Sequence, residues 1–136
     1  MLSEANEKSL VNLLYLGSAA VTIFVMTGVV TDPVNATKHF LLGGVAFAAF
    51  GIVVKFSLKT LWLDSKAYLL TGSLFILFLI SSTIASSAPV VQNLYGTYGR
   101  NTGAVAYFSL ILIAFAALSI RRASSFSKVI YGLFLA

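Results

Sequence analysis

The chain has 136 residues, of which 59% are hydrophobic and only 10% are charged. Soluble domains carry about 25% charged residues, so this composition argues against a soluble domain and for a polytopic membrane protein. The absence of cysteine excludes disulfides and thiolate metal sites. The net charge of +5 comes without a basic run interleaved with aromatic residues, so we expect no nucleic-acid partner.

The first predicted transmembrane helix covers residues 10–30, a stretch that contains no charged side chain. At about 1.5 Å per residue it is long enough to cross the roughly 30 Å hydrocarbon core of a bilayer. A segment of mixed charge precedes it, and the apolar stretch is longer than that of a signal peptide, so we expect the helix to stay uncleaved. Asp32 and Pro33 then end the helix, because the residue before proline avoids the α region.

The second predicted helix covers residues 39–56 and is rich in glycine and alanine. Such small residues let a neighbouring helix approach closely. A polar link is predicted to lead from it to the third helix, at residues 67–86. The following loop contains Pro89 and leads to the fourth predicted helix, at residues 103–120.

After a basic turn, the chain is apolar again over residues 129–136. This stretch is too short to cross a bilayer, so we interpret it as the start of a fifth helix and residues 1–136 as the N-terminal part of a longer protein. A short protein with an apolar tail in the membrane interface is the alternative. The predicted fold class is all-α: a polytopic transmembrane helical bundle of four helices plus the start of a fifth.

The lysines and arginines are distributed unequally along the chain. Four spans would place the N-terminus, residues 55–66 and residues 121–128 on one side of the membrane, and these segments carry seven of the nine cations. Because lysine and arginine accumulate in short cytoplasmic loops, we predict a cytoplasmic N-terminus. Arg100 is then predicted to lie on the outer side, contrary to this rule, which makes it a candidate functional residue.

Arg100 lies in a glycine-rich stretch, residues 96–103, that reads Gly-Thr-Tyr-Gly-Arg-Asn-Thr-Gly. A guanidinium binds phosphate or carboxylate in a bidentate way. Asn101 or Thr102 is predicted to cap the fourth helix, whose N-terminus adds amides and a positive dipole. One interpretation is therefore an anion site. The other is that Arg100 reaches lipid headgroups while the glycines merely form a turn.

Other candidate residues give weaker signals. His39 is the only histidine and a candidate base, but no second histidine or nearby acid orients it. Asp32 and Asp64 are predicted on opposite sides, which excludes a paired-carboxylate site, and no cluster of metal ligands exists. We expect neither a metal nor a cofactor. Interface anchoring and sugar stacking are both open for the tyrosines near the loop, Tyr95, Tyr98 and Tyr107.

With these residues in view, the chain resembles the N-terminal part of the O-antigen ligase and O-antigen polymerase family of bacterial membrane proteins. Two stretches carry the resemblance. Residues 31–38 read Thr-Asp-Pro-Val-Asn-Ala-Thr-Lys, and residues 94–103 read Leu-Tyr-Gly-Thr-Tyr-Gly-Arg-Asn-Thr-Gly before an apolar helix. The resemblance implies a bacterial inner-membrane glycosyltransferase. Such proteins transfer a glycan from an undecaprenyl diphosphate carrier to an acceptor at the periplasmic face.

The resemblance also implies which residues bind the substrate. Arg100 would hold the diphosphate, with Asn101 and Thr102 beside it and Lys38 assisting from the other outer loop. The base in this family is a histidine of a large periplasmic loop; His39 does not occupy that place, so no catalytic residue is expected here and this segment should be inactive alone. The implied partners are membrane lipid, the undecaprenyl diphosphate-linked glycan and the remaining C-terminal helices.

A reading from a different class is a small four-helix membrane protein that serves as a transporter piece or accessory subunit without catalysis. In that case the small residues of the second helix form a docking surface. An ion channel is not favoured, because no predicted span contains a buried charge.

Overall fold

The computed structural model describes residues 2–24, 35–97 and 103–135, and within these residues the chain forms six α-helices and no β-strand. The all-α prediction is confirmed for this part of the chain. In chain order the helices are α1 (Glu4–Ile23), α2 (Asn35–Phe56), α3 (Leu58–Ala85), α4 (Val90–Tyr95), α5 (Ala104–Ala117) and α6 (Ala123–Leu135).

Two of these helices, α2 and α3, are long and apolar enough to cross a membrane, as judged over the described residues. Helix α5 is apolar but has 14 residues, which is roughly 21 Å at the usual helical rise. It is therefore shorter than the predicted span at residues 103–120. Residues 25–30 of the predicted first span lie outside the described part of the chain. The prediction of four spans is thus confirmed only as far as an all-helical chain with two candidate spans.

Helix α1 begins before the predicted residue 10, because its first turn is capped. Ser3 Oγ accepts a hydrogen bond from the Asn6 amide at 3.3 Å. Glu4 and Glu7 lie in the first turn, where carboxylates interact favourably with the helix dipole. The helix thus begins six residues before the predicted span, which was drawn from the first residue of the uncharged stretch, although serine followed by acids indicates a helix start.

The polar link predicted between the second and third helices is itself helical, so this prediction was wrong. Only Ser57 separates α2 from α3, with φ −141° and ψ 0°. Its amide donates to Val53 O and its carbonyl accepts from Leu61 N, both at 2.8 Å. A second break lies inside α3 at Ser65, with φ −132° and ψ 28°. The predicted start at residue 67 therefore lies just after a kink, not after a loop.

The remaining boundaries also differ from the prediction. The short helix α4 lies inside the predicted loop after Pro89. The turn between α5 and α6 is shorter than predicted, since α6 begins at Ala123 and not near residue 129. Lys128 is therefore part of a helix. Sequence reasoning left residues 123–128 out of the predicted helix because Ser124, Ser125 and Lys128 make this segment polar.

Helices α1 and α2 run antiparallel and touch where α1 has a glycine. A Cβ atom on Gly17 would lie 2.6 Å from Val45 Cγ2, so only glycine permits this approach. Ala46 and Ala49 of α2 are fully buried, which confirms that small residues in this helix allow close packing. Other small residues of α2 face outward, as shown by the exposed positions Gly44, Ala48 and Gly51.

Helices α2 and α5 run parallel, and the ring centroids of Phe50 and Phe115 lie 6.3 Å apart. Helix α3 returns past α5, and a Cβ atom on Gly72 would overlap the ring of Phe115. The core forms where α1, α2, α3 and α5 meet. Its buried residues are Leu10, Leu14, Ala49, Val53, Leu61, Leu69, Phe115 and Ala116.

The helix ends form two polar regions. We call the first turn of α1, the α2–α3 junction and the α5–α6 turn the charged end. We call the first turn of α2, the last turn of α3, α4 and the first turn of α5 the loop end. Helix α2 joins the two ends with 22 residues, which corresponds to roughly 33 Å.

Candidate functional site

The predicted diphosphate site is represented in the structure only by the residues around it. Arg100, Asn101 and Thr102 lie outside the described residues, as do Asp32 and Tyr98. The segments before and after Arg100 are described, and they show where this loop leaves and rejoins the helices.

Gly96 and Gly103 bring the two sides of this loop together. Gly96 ends α4 with φ 88° and ψ 177°, a conformation that is restricted essentially to glycine. Its amide donates to Gln92 O at 2.8 Å. A Cβ atom on Gly103 would overlap the backbone of Leu94, Tyr95 and Gly96. The glycines therefore close the base of the loop by direct contact between backbones.

The N-cap position of α5 is Gly103, one or two residues after the predicted caps Asn101 and Thr102, whose side chains lie outside the described residues. Glycine has no side chain with which to bond the first amides of α5. The Gly103 carbonyl accepts from Ala106 N at 3.1 Å and from Tyr107 N at 3.4 Å. The positive end of the α5 dipole therefore lies at the loop end.

Two further sequence candidates lie at the loop end, in the first turns of α2. Lys38 is half-buried there, and His39 follows it. The rings of His39 and Tyr95 meet edge to face with centroids 6.3 Å apart, which ties α2 to α4. His39 Nε2 is buried and has no hydrogen-bond partner in the described part of the chain. The structure thus brings Lys38 and His39 to the end from which the Arg100 loop emerges.

A cleft of about 250 Å³ opens between α3, α4 and α5 at the same end. Tyr107, the one predicted aromatic candidate on α5, lies at this cleft and is 42% exposed. The polar lining is uncharged, and it consists of Ser82, Thr83, Ser86, Asn93 and Tyr107. Such groups suit hydroxyl-rich or amide-rich ligands.

Asn93 holds the turn between α3 and α4, and sequence reasoning missed it. Its Nδ2 donates to Ala88 O at 3.1 Å and to Thr83 O at 3.4 Å, while its Oδ1 accepts from Ser86 Oγ at 3.2 Å. The sequence signal was an asparagine one turn after Pro89. A nearby hydroxyl bonds back to its own helix, since Thr83 Oγ1 donates to Leu79 O at 2.8 Å.

The charged end is built from contacts between distant parts of the chain. Arg121 Nη2 lies 2.6 Å from Asp64 Oδ2, and the side chains are 41% and 45% exposed. Arg122 Nη1 lies 3.2 Å from Glu4 Oε1. The Arg122 amide also donates to Oε1 of the buried Glu7 at 3.2 Å. The predicted basic turn is therefore matched by acids, a pairing that sequence spacing did not indicate.

Within residues 2–24, 35–97 and 103–135, no three potential ligands among histidine, aspartate and glutamate are grouped so as to hold a metal ion. Comparisons with known proteins returned no matching protein-family model, no matching curated protein and no matching solved structure. The resemblance to the O-antigen ligase and polymerase family therefore depends on the two sequence stretches alone.

Proposed function

We propose that the chain is a multi-pass protein of the bacterial inner membrane with a cytoplasmic N-terminus. We further propose that it is the N-terminal part of an O-antigen ligase or polymerase-like glycosyltransferase. It would bind an undecaprenyl diphosphate-linked glycan at the periplasmic face. The observation that carries this proposal is the close backbone contact between Gly103, at the start of α5, and Gly96, the two glycines that flank the segment containing Arg100 in the sequence.

The apolar surface of α3 supports the membrane part of the proposal. Along the hydrophobic stretch of this helix only 6% of the residues are buried. A continuous exposed apolar surface of this length is unfavourable in water, and lipid tails would cover it. The large side chains concerned are Leu74, Phe75, Leu77, Phe78, Ile80 and Ile84.

The loop end supports the substrate part. Arg100 precedes Gly103, the N-cap of α5, by three residues in the sequence. A guanidinium and the N-terminal amides of α5 would then act together on a diphosphate leaving group. Lys38, in the first turn of α2, adds a second cation at this end. The uncharged cleft beside Tyr107 offers hydroxyl and amide groups to the sugar next to the diphosphate.

The test replaces Arg100 in the gene as it occurs in the cell, with Arg100→Ala and Arg100→Lys. Charge-assisted hydrogen bonds contribute about 1.5–3 kcal/mol, so we expect a loss of glycan transfer of roughly 10-fold to 100-fold. Arg100→Lys should lose nearly as much, because lysine does not reproduce the bidentate geometry. Gel analysis of surface glycan measures the transfer.

The matched control is Lys59→Ala, an exposed cation at the charged end, which should leave transfer unchanged. Full transfer by Arg100→Ala, with normal protein levels, would contradict the proposed substrate site. Sequencing the coding DNA beyond Ala136 adds an independent check, since the proposal requires further helices and a large hydrophilic loop.

The alternative function is an accessory subunit or transporter piece without catalysis. The outward-facing Gly44, Ala48 and Gly51 of α2 favour it, because small residues allow another helix to approach. Here Gly44→Leu or Ala48→Leu would release the chain from its complex on a native gel, whereas Arg100 variants would have no effect.

A further inference from the structure

The charged end contains a second cleft, which the proposed glycan site does not use. It has a volume of about 390 Å³ and lies between the starts of α1 and α6. Lys8, Arg122 and Lys128 line it, and Glu4 is the one acid in the lining. The cleft is therefore more basic than acidic, unlike the uncharged cleft at the loop end.

The cations of this cleft are only weakly engaged within the protein. Lys128 Nζ donates to the neutral Asn12 Oδ1 at 3.0 Å, and its charge lies 5.7 Å from the centre of the Tyr15 ring. Lys8 is exposed and makes no ion pair among the described residues. The pair between Arg122 and Glu4 has side chains that are 47% and 80% exposed. Exposed pairs of this kind contribute little to stability, so Arg122 is available to a ligand.

Two features of the cleft favour an oxyanion as its ligand. Ser124 and Ser125 lie in its lining, in the first turn of α6, where the positive end of the helix dipole adds to the three cations. The nearby Glu7 is buried and accepts a hydrogen bond from the Arg122 amide, so its carboxyl group is engaged by the backbone.

We propose that the cleft between α1 and α6 binds a phosphate group, with Lys8, Lys128 and Arg122 as its cationic contacts. Two sources share this chemistry: the headgroup of an anionic membrane lipid and a soluble phosphate. The lipid source fits the position of the cleft, because Val11 of α1 lies in its lining where the apolar part of that helix begins. The proposal does not depend on the glycan transfer proposed for the loop end.

The test uses the full chain purified in an uncharged detergent. Native mass spectrometry measures the dissociation constants of phosphatidylglycerol, which is anionic, and of phosphatidylcholine, whose phosphate is neutralised by its own quaternary amine. We expect phosphatidylglycerol to bind at least tenfold more tightly. Lys8→Gln and Lys128→Gln should each weaken its binding about fivefold, the effect of one cation near an anionic headgroup.

Two further variants separate the cleft from general charge attraction. Lys59→Gln removes an exposed cation of the same end that does not line the cleft, and should change binding less than twofold. Glu4→Gln removes the acid that competes for Arg122, and should strengthen binding. A gain of affinity cannot arise from partial unfolding, so this variant keeps the test decisive.

Sodium phosphate serves as a competitor that distinguishes the two sources. Displacement of phosphatidylglycerol by sodium phosphate would support a soluble phosphate as the ligand, and its failure to compete would support the lipid headgroup. Equal affinities for the two lipids would overturn the proposal. Equal losses for Lys59→Gln and Lys8→Gln, or weaker binding by Glu4→Gln, would also overturn it.

Discussion

The charged end and the loop end are held together by different kinds of contact. At the charged end, side chains join residues that are far apart in sequence, such as Asp64 with Arg121 and Asn12 with Lys128. At the loop end, apart from the ring contact of His39 with Tyr95, the contacts are local and involve the backbone, through Gly96, Gly103 and the hydrogen bonds of Asn93. Ion pairs and hydrogen bonds between side chains hold the charged end together, whereas close backbone contacts hold the loop end together.

This difference has a physical consequence for substitution. A backbone contact cannot adjust when a methyl group is inserted, whereas an exposed ion pair is already partly screened by solvent. The addition of a single methyl group at the loop end should therefore lower stability, as expected for a preorganised binding site. The charged end should tolerate single charge changes, which leaves its cations free to meet a ligand.

The largest effect is expected for Gly103→Ala. The new Cβ atom would overlap the backbone of Leu94 and Gly96, and no flexible side chain is present to move away. We expect a loss of about 3 kcal/mol in the free energy of unfolding, at the upper end for overpacking. To measure this loss, the protein in detergent micelles is titrated with a denaturing surfactant, and circular dichroism follows its unfolding. The control Gly44→Ala has no atom within 4 Å of the new Cβ and should be neutral or slightly stabilising.

A smaller loss is expected for Gly72→Ala, because the obstacle is a side chain that can rotate. The new methyl group would meet the Phe115 ring, and we expect a loss of about 2 kcal/mol in the same assay. Phe115→Leu removes the outer ring atoms, so the double variant should lose less than the sum of the single variants. Additive losses would show that α3 and α5 do not meet at Gly72.

Asn93→Ala tests the side-chain part of the loop end. It removes the hydrogen bonds to Ala88 O and Thr83 O and the acceptor for Ser86 Oγ. We expect a loss of about 1–2 kcal/mol, because these bonds are only partly buried. The exposed neighbour Gln92 provides the control Gln92→Ala, which should change stability by less than about 0.5 kcal/mol. Equal losses of stability for Asn93→Ala and Gln92→Ala would contradict the stabilising role of Asn93.

The smallest effect is expected for Asp64→Asn at the charged end. Both side chains of the pair with Arg121 are more than one-third exposed, so we expect a loss below about 1 kcal/mol. The loss should shrink further in concentrated salt, because exposed charges are screened. A double-mutant cycle with Arg121→Gln measures the coupling. A loss as large as that of Gly103→Ala would contradict the distinction between the two ends.

Sequence reasoning located the described helices except α4, and it grouped the polar segments that form the charged end. Apolar stretches and the breaks at Pro33 and Pro89 are local signals, and they carried those predictions. The boundaries were less predictable, because a capped helix start such as Ser3 to Glu7 contains the same residue types as a polar tail.

The candidate site could be predicted only in outline. The glycines of residues 96–103 marked a special backbone, but the contact between Gly103 and Leu94 depends on how α4 and α5 meet. The same limit applies to Glu7 and Arg122, whose hydrogen bond joins residues at opposite ends of the sequence. Long-range packing, which one sequence does not encode in any local pattern, decides both contacts.

The most direct test of the account is the side of the membrane on which each end lies. Residues 1–136 contain no cysteine, so a single cysteine introduced there is the one labelling site of this segment. Thr97→Cys marks the loop end and Ser124→Cys marks the charged end, and both positions are exposed. With a membrane-impermeant maleimide on spheroplasts, we expect labelling of Thr97→Cys in intact spheroplasts and of Ser124→Cys only after permeabilisation. Equal labelling of both cysteines in intact spheroplasts would contradict it.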